Sequence, residues 1–339
     1  MPTLRELSTW IRDYGQDPRH KFRLMVNDFV WNQLWTALDV INDVDSALTA
    51  YTENEFPEGI SERYLRIYGV MQALFLQQDA LDDLIKAIHP ATNISVKDIL
   101  KDIREVRNAS IGHPTRMGRK GTLWTHGIVQ NSMRKEGFEL LSYPKWEGKT
   151  FTYVPVLELI EKQRAEAVRI LSEVVEELRA QEEAHRAQFR ESKIVGVFDQ
   201  VSYAFEKIYE ELRRDSGPIL SNWAVDHLHE TLNNFEKHLK ERGLTVDSYD
   251  SIKYLYDEID HPLTELTKFI KGEPSEVASN KSASVFADAL RHRFDELRRM
   301  AKEIDQEYAS EPDPVIKPTY NGPPVRVIIT NVGQPKVDD

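Results

Sequence analysis

Ile99-Leu100-Lys101-Asp102-Ile103-Arg104-Glu105-Val106-Arg107-Asn108-Ala109-Ser110-Ile111-Gly112-His113-Pro114 carries its apolar residues Ile99, Leu100, Ile103 and Val106 three and four apart, the spacing of one helix face. Asn93-Ile94-Ser95 starts this helix, with Ser95 as the expected N-cap. Gly112-His113-Pro114 should stop it, because a proline pushes the residue before it out of the α region. Val106 is then the last firmly buried position, Arg107 and Asn108 stand in the last turns, and His113 lies just beyond. Two other Arg/His pairs have similar spacing, Arg119/His126 and Arg179/His185, but neither joins an amide directly after the Arg to a helix stop at the His.

Outward from this stretch the chain reads as helices. Leu4, Leu7, Trp10, Ile11 and Tyr14 mark a short amphipathic one. After Asp17-Pro18, a helix-start signal, one long helix is expected with the stripe Phe22, Met25, Val26, Phe29, Val30, Leu34, Leu38, Ile41, Val44 and Leu48. Pro57-Glu58-Gly59 breaks it, and a second long helix runs from Tyr64 to Ile88, stopping at His89-Pro90. Residues 121–154 change texture: Thr122–Val129, Gly137–Tyr143 and Thr150–Val154 read as two or three short strands, a hairpin insert. Trp124 and His126 fall there as ordinary strand residues. Helical period returns at Val156 and becomes fully polar over Gln181–Arg190, which suits a solvated end or a connector.

A second helical block begins near Lys193. Its helices use Val197 to Leu212, ending before Gly217-Pro218; Ile219, Trp223 and Leu228 to Leu239, ending at Gly243; Ile252 to Ile259, meeting His261-Pro262 and resuming to Ile270; and about Glu276 to Tyr308, with Val285 and Phe286 on its stripe. In both blocks the third helix meets a His-Pro, which suggests an old duplication. Leu255 stands in the second block where the first has Arg107. The expected fold is mostly α: a first domain over 1–192 with the β insert, a helical bundle over 193–310, and an extended Pro-rich tail over 311–339.

Composition bounds the chemistry. The chain has 339 residues and no Cys, so disulfides, thiolate metal sites and thiol nucleophiles are excluded. No apolar run approaches a membrane span, and Met1-Pro2-Thr3-Leu4-Arg5-Glu6 lacks a secretory pattern. No membrane association and a cytoplasmic location are expected. The net charge of −12 argues against wholesale coating of nucleic acid. Residues 101–150, however, carry ten Lys/Arg against five Asp/Glu, and 111–135 hold Arg116, Arg119, Lys120, Arg134 and Lys135 with no acid. A basic island beside the Arg/His pair can focus an anionic ligand; a solvated basic hairpin explains the same charge.

Two long helices, a third ending in Arg-Asn-x-x-x-x-His, and a fourth beyond it resemble the HEPN family of four-helix bundles, over about residues 20–190. Many members are metal-independent endoribonucleases. The resemblance implies a catalytic set of Arg107, Asn108 and His113, no metal and no cofactor, RNA as substrate, a toxin or defence role, and a homodimer in which two motifs meet. A toxic nuclease also implies an antitoxin or regulatory partner. Arg104, Arg116, Arg119 and Lys120 are the expected substrate-binding cations. The strand insert is not part of the minimal bundle.

The chemistry is sound on the residues alone. RNA supplies its own nucleophile, the 2′-OH. An imidazole titrating near neutrality can take that proton or serve the leaving 5′-oxygen, and a planar guanidinium suits a phosphate gaining charge. The same residues also admit other readings. Arg107 can cap its own helix end or pair with Asp102 or Glu105, His113 can be a C-terminal cap, and the domain can be a non-catalytic HEPN-like module for RNA, nucleotide or a protein partner. A bundle metal site is the weaker rival: Glu-x-x-His occurs at Glu182/His185 in the all-polar stretch and at Glu258/His261 at a helix stop before Pro262, neither within the buried apolar stripe such sites need.

Overall fold

The computed structural model describes residues 2–25, 27–88, 94, 98–119, 122–145, 148–213 and 220–310. Ser95, Lys120, the Gly217-Pro218 stop and the tail 311–339 lie outside the described residues, as do the side chains of Ile99 and Arg119. The protein is mostly helical with one small antiparallel sheet. In chain order come α1 (Leu4–Gln16), α2 (Pro18–Leu24), α3 (Asp28–Glu53), α4 (Ile60–Ile88) and α5 (Asp98–Arg107). Strands β1 (Met117–Arg119), β2 (Thr122–Ile128), β3 (Phe138–Pro144) and β4 (Thr150–Val154) come next, then α6 (Val156–Phe189). The remainder is α7 (Val201–Leu212), α8 (Leu220–Glu241), α9 (Asp250–Ile270) and α10 (Asn280–Ala309). The described residues form two compact units: one from residues 2–14 with Met25–Glu177, the other from Gly15–Leu24 with residues 178–310.

The expected long helix after Asp17-Pro18 is two helices, α2 in the second unit and α3 in the first. Asn27 breaks it, its side-chain carbonyl accepting from Val30 N at 2.9 Å as the N-cap of α3. The stripe predicted from Phe22 onward therefore fails at its start: Phe22 and Met25 are exposed and Phe29 is 74% exposed, while burial begins at Leu34 and continues through Leu38, Ile41, Val44, Leu48 and Tyr51. The α4 face is apolar except at Gln77 and Gln78, both buried together with Gln163 of α6. These amides satisfy one another. Gln78 donates to Gln163 at 2.8 Å, Gln163 donates to Gln77 at 2.9 Å and to Leu74 O at 2.8 Å, and Gln77 donates to Ile41 O at 3.3 Å. Three helices are thus bonded through a buried polar core, where an unpaired amide would be costly.

The insert is larger than a hairpin. Four strands pair in the order β1-β2-β3-β4, starting at Met117 rather than near 121. Met117-Gly118-Arg119 is too short to show alternation, so pairing with β2 makes it a strand. On β3, Phe138, Leu140, Ser142 and Pro144 are buried and Glu139 and Tyr143 exposed, the two-residue period of a one-sided sheet.

The second unit has its own core, with Phe198, Phe205, Phe235, Leu239, Ile259, Phe294 and Leu297 almost completely buried. Ser279 caps α10, accepting from Ser282 N. Trp223 and Val285, expected on buried stripes, are exposed; on α10, Ala283, Ala287, Leu290 and Phe294 carry the stripe instead. The polar stretch 181–190 is solvated along one side only. Glu182 is buried, its carboxylate 3.0 Å from His20 Nδ1 and 2.5 Å from Arg186 Nε, and Phe189 is buried further along the same helix. A carboxylate tolerates burial when paired on both oxygens, and composition alone does not reveal that pairing. No helix among the described residues is long and apolar enough to cross a membrane.

Candidate active site

The motif helix ends in a widened turn. After Arg107 the backbone takes one π-helical turn, Asn108–Gly112, closed by His113 N donating to Asn108 O across five residues at 2.7 Å. Widening leaves carbonyls short of their α-helical donors. The Ser110 hydroxyl serves them, bonding Val106 O at 2.7 Å and Arg107 O at 3.3 Å. The turn also brings Ala109 and Ser110 inward, so burial continues past Val106, which is itself only half-buried. His113 leaves the helix at φ −136°, ψ 47°, outside the α region that the following proline disfavours. Such π turns inside helices often mark functional sites.

Arg107 is held over this turn by α4. Its Nη2 donates to Gln72 Oε1 at 2.7 Å, its Nη1 donates to Asn108 Oδ1 at 3.0 Å, and its guanidinium lies 4.2 Å from the Phe75 ring centroid. Neither Asp102 nor Glu105 holds it. Its Nε is buried and makes no hydrogen bond among the described residues. Gly112 is where the guanidinium packs: a Cβ there would stand 2.6 Å from Arg107 Nη1 and 3.1 Å from Asn108 Oδ1. Glycine is needed for that close approach.

Arg104 shares the same aromatic ring at 4.6 Å, pairs with Asp79 at 2.5 Å, and donates to Gln78 at 3.3 Å. Through Gln78 it joins the buried amide network. Asp79 already neutralises Arg104, which makes it a strut of the site more than an open phosphate ligand. Gln72, Phe75 and Asp79 were not among the residues singled out from sequence. They lie on one face of α4 at three- and four-residue steps, and that spacing was legible, but nothing in the sequence paired it with α5.

The structure joins Arg107 to Asn108 by their side chains and ties His113 to Asn108 by its backbone. It does not join the His113 ring to either: this side chain is exposed and makes no hydrogen bond or ion pair among the described residues. Arg116 is exposed three residues on, its N bonded to His113 O at 3.3 Å. Arg119 lies on β1. A second imidazole comes near through the backbone, since His126 N on β2 donates to Pro114 O at 2.6 Å. The His126 ring bonds Ser142 Oγ through Nδ1 at 2.7 Å, its Nε2 is buried without a partner among the described residues, and burial pushes its pKa down.

The rival Glu-x-x-His pairs are engaged otherwise. Glu182 meets His20 and Arg186, while the His185 ring bonds the Tyr308 hydroxyl at 3.1 Å. Glu258 meets Arg293, and His261 meets Glu276, each at 3.3 Å. Among the described residues no group of three or more His, Asp or Glu stands together as a metal site would require. No family model, curated protein or solved structure matches this chain.

Proposed function

We propose that this protein is a HEPN-type endoribonuclease that cuts RNA without a metal, with His113 as acid/base and Arg107 as the phosphate-stabilising group. The observation that carries the reading is the widened turn 108–112. It holds a guanidinium with free donors against Phe75 and leaves an exposed imidazole one residue past the helix. The order of elements supports it too: two long helices α3 and α4, the motif at the end of α5, and the long α6.

In the reaction, the 2′-oxygen attacks the adjacent phosphorus and the 5′-oxygen leaves, giving a 2′,3′-cyclic phosphate and a 5′-hydroxyl. Arg107 uses one N–H of each Nη on Asn108 and Gln72 and its Nε is buried, so the second N–H on each Nη is left to meet the phosphoryl oxygens as their charge grows. His113 takes the 2′-OH proton or delivers one to the leaving oxygen. Both transfers are best served by two imidazoles. A homodimer that brings two motifs together supplies them with no further sequence change. A cytoplasmic toxin or defence effector, restrained by an antitoxin or regulatory partner, fits such an activity.

The test is cleavage of single-stranded RNA in EDTA with cyclic-phosphate ends. Activity seen only with added divalent ion would remove the mechanism. Mixing His113→Ala with Arg107→Ala protein tests the dimer, since composite sites regain activity on subunit exchange. A strictly monomeric protein that cuts RNA would refute it. A second reading draws on the engagement of Arg107 by Gln72, Asn108 and Phe75: a non-catalytic module that binds RNA, nucleotide or a protein partner. It is distinguished by RNA binding without cleavage by the parental protein.

A further inference from the structure

The outward face of the sheet carries side chains that a small soluble sheet has no structural reason to expose. Tyr143 is 48% exposed, Phe151 and Tyr153 are each 55% exposed, and Leu123 is exposed beside them. Strand alternation and register put them on one face: Tyr143 stands opposite Thr125, Phe151 opposite Leu141, Tyr153 opposite Glu139, and Leu141 opposite Gly127. Gly127, at the centre of that face, leaves it low, and nothing lies within 4 Å of where its Cβ would be. Tyr153 is fixed against Gly137, where a Cβ would come within 2.9 Å of the ring.

Charge is distributed unevenly over the face. Lys149 Nζ lies 5.7 Å from the Phe151 centroid, and exposed Lys145 comes directly after β3 with its N bonded to Leu123 O. The opposite end carries Glu139 beside Tyr153. The sheet also continues directly from the motif: β1 begins four residues after His113, and Pro114 O is bonded to β2. Between them stands exposed Arg116.

We infer that this face is a stacking platform for single-stranded RNA, with bases on Tyr143 and Phe151 and phosphates near Lys145, Lys149 and Arg116. The inference rests on the ribonuclease reading and names its substrate class as unpaired RNA. Aromatic faces accept any base, and the adjoining cations meet the backbone. A duplex hides its base faces and cannot use such a platform. The lysine-rich end is the working end, and Tyr153 beside Glu139 contributes least.

Binding is measured apart from cleavage, with the full chain carrying His113→Ala and a fluorescent oligouridine of about a dozen nucleotides. Adding Tyr143→Leu and Phe151→Leu keeps the apolar area but removes the π faces. The expected result is roughly tenfold weaker binding or more, an unchanged melting temperature, and a raised KM with unchanged kcat when His113 is restored. Tyr153→Leu should change affinity less than either. Lys145→Ala with Lys149→Ala should flatten the salt dependence by about 0.7 in log–log slope for each lysine that meets a phosphate. Full RNA affinity in the double Leu variant overturns the platform while leaving the nuclease reading intact. Unchanged affinity with lost self-association or partner binding assigns the face to protein and overturns it equally. If the parental chain neither binds nor cuts RNA, both readings fail; if it binds through these rings but never cuts, only the nuclease reading does.

Discussion

Two His-Pro steps meet a helix in this chain, and they resolve in opposite ways. At Ile111-Gly112-His113-Pro114 the helix widens, stops and turns into a strand, leaving His113 without a side-chain partner among the described residues. At Ile259-Asp260-His261-Pro262 the helix runs through the proline to Ile270, and His261 pairs with Glu276. Proline removes one backbone donor in either place. The outcome depends on the residues just beyond the proline. Leu263, Leu266 and Ile270 bury themselves past Pro262 and hold the helix, whereas Thr115-Arg116 after Pro114 offer the core nothing. Six residues before each histidine stands Arg107 in one case and buried Leu255 in the other. One step leaves its histidine ring open and the other carries its helix on into the core.

The contrast breaks most visibly in activity. Arg107→Ala and His113→Ala should each lower RNA cleavage by about a hundredfold or more, the range for losing a charge-stabilising donor or an acid/base group. His261→Ala should leave cleavage unchanged. Equal losses at His113 and His261, measured as kcat/KM on one RNA, would end the distinction.

Stability should rank the two steps in reverse. Leu255 is buried in the second core, so Leu255→Ala should cost about 2–5 kcal/mol in denaturant unfolding. Arg107→Ala removes a stacked guanidinium and two hydrogen bonds at a half-buried position, and should cost about 1–2 kcal/mol. A larger loss for Arg107→Ala than for Leu255→Ala would make Arg107 a structural clamp first.

This contrast also marks how far the sequence could be read. The long helices were legible because Leu34 to Tyr51 and Ile67 to Ile88 repeat at helical spacing, and the motif's place at a helix end came from Gly112-His113-Pro114. The π turn was not, since what closes it is the bond from His113 N to Asn108 O, a local bond with no periodic trace. Asn27 hid inside an unbroken apolar rhythm, because capping depends on one side chain and not on a pattern. The partners of Arg107 and Arg104 were illegible for another reason: Gln72 and Asp79 lie 35 and 25 residues away from the arginines they bond, Phe75 is equally remote, and pairing across helices has no signature along the chain. The pairing of Glu182 with His20 was hidden likewise, and it buries a carboxylate within an otherwise polar stretch.

Gly112→Ala offers a finer cut at the first step. Its Cβ would press on Arg107 Nη1 and Asn108 Oδ1, both ends of side chains that can move. Folding should change little, while Arg107 shifts from its seat and cleavage falls by roughly tenfold, the scale of a small misplacement of a catalytic group. Asp260→Ala, at the matching position of α9, should alter neither quantity measurably. Wild-type kinetics from Gly112→Ala would show that the seat of Arg107 does not matter.

The smallest expected effect is one of pH, and here the two units should behave alike. His126, bonded through its backbone to Pro114, has its pKa pushed down by burial. His229 in the second unit, bonded to Thr267 Oγ1, is pushed down by burial and then by the charge of Lys271. A histidine whose folded pKa lies below its unfolded value binds more protons when unfolded, so stability rises with pH through that interval. The stabilisation is complete above the unfolded value of 6.5 and is lost as pH falls through the depressed folded values. Melting temperature should therefore drop between neutrality and about pH 5, the window in which these imidazoles titrate. His126→Gln should flatten the part of that slope belonging to the first unit, and His229→Gln the part belonging to the second. A slope that neither substitution changes would assign the acid sensitivity to other groups.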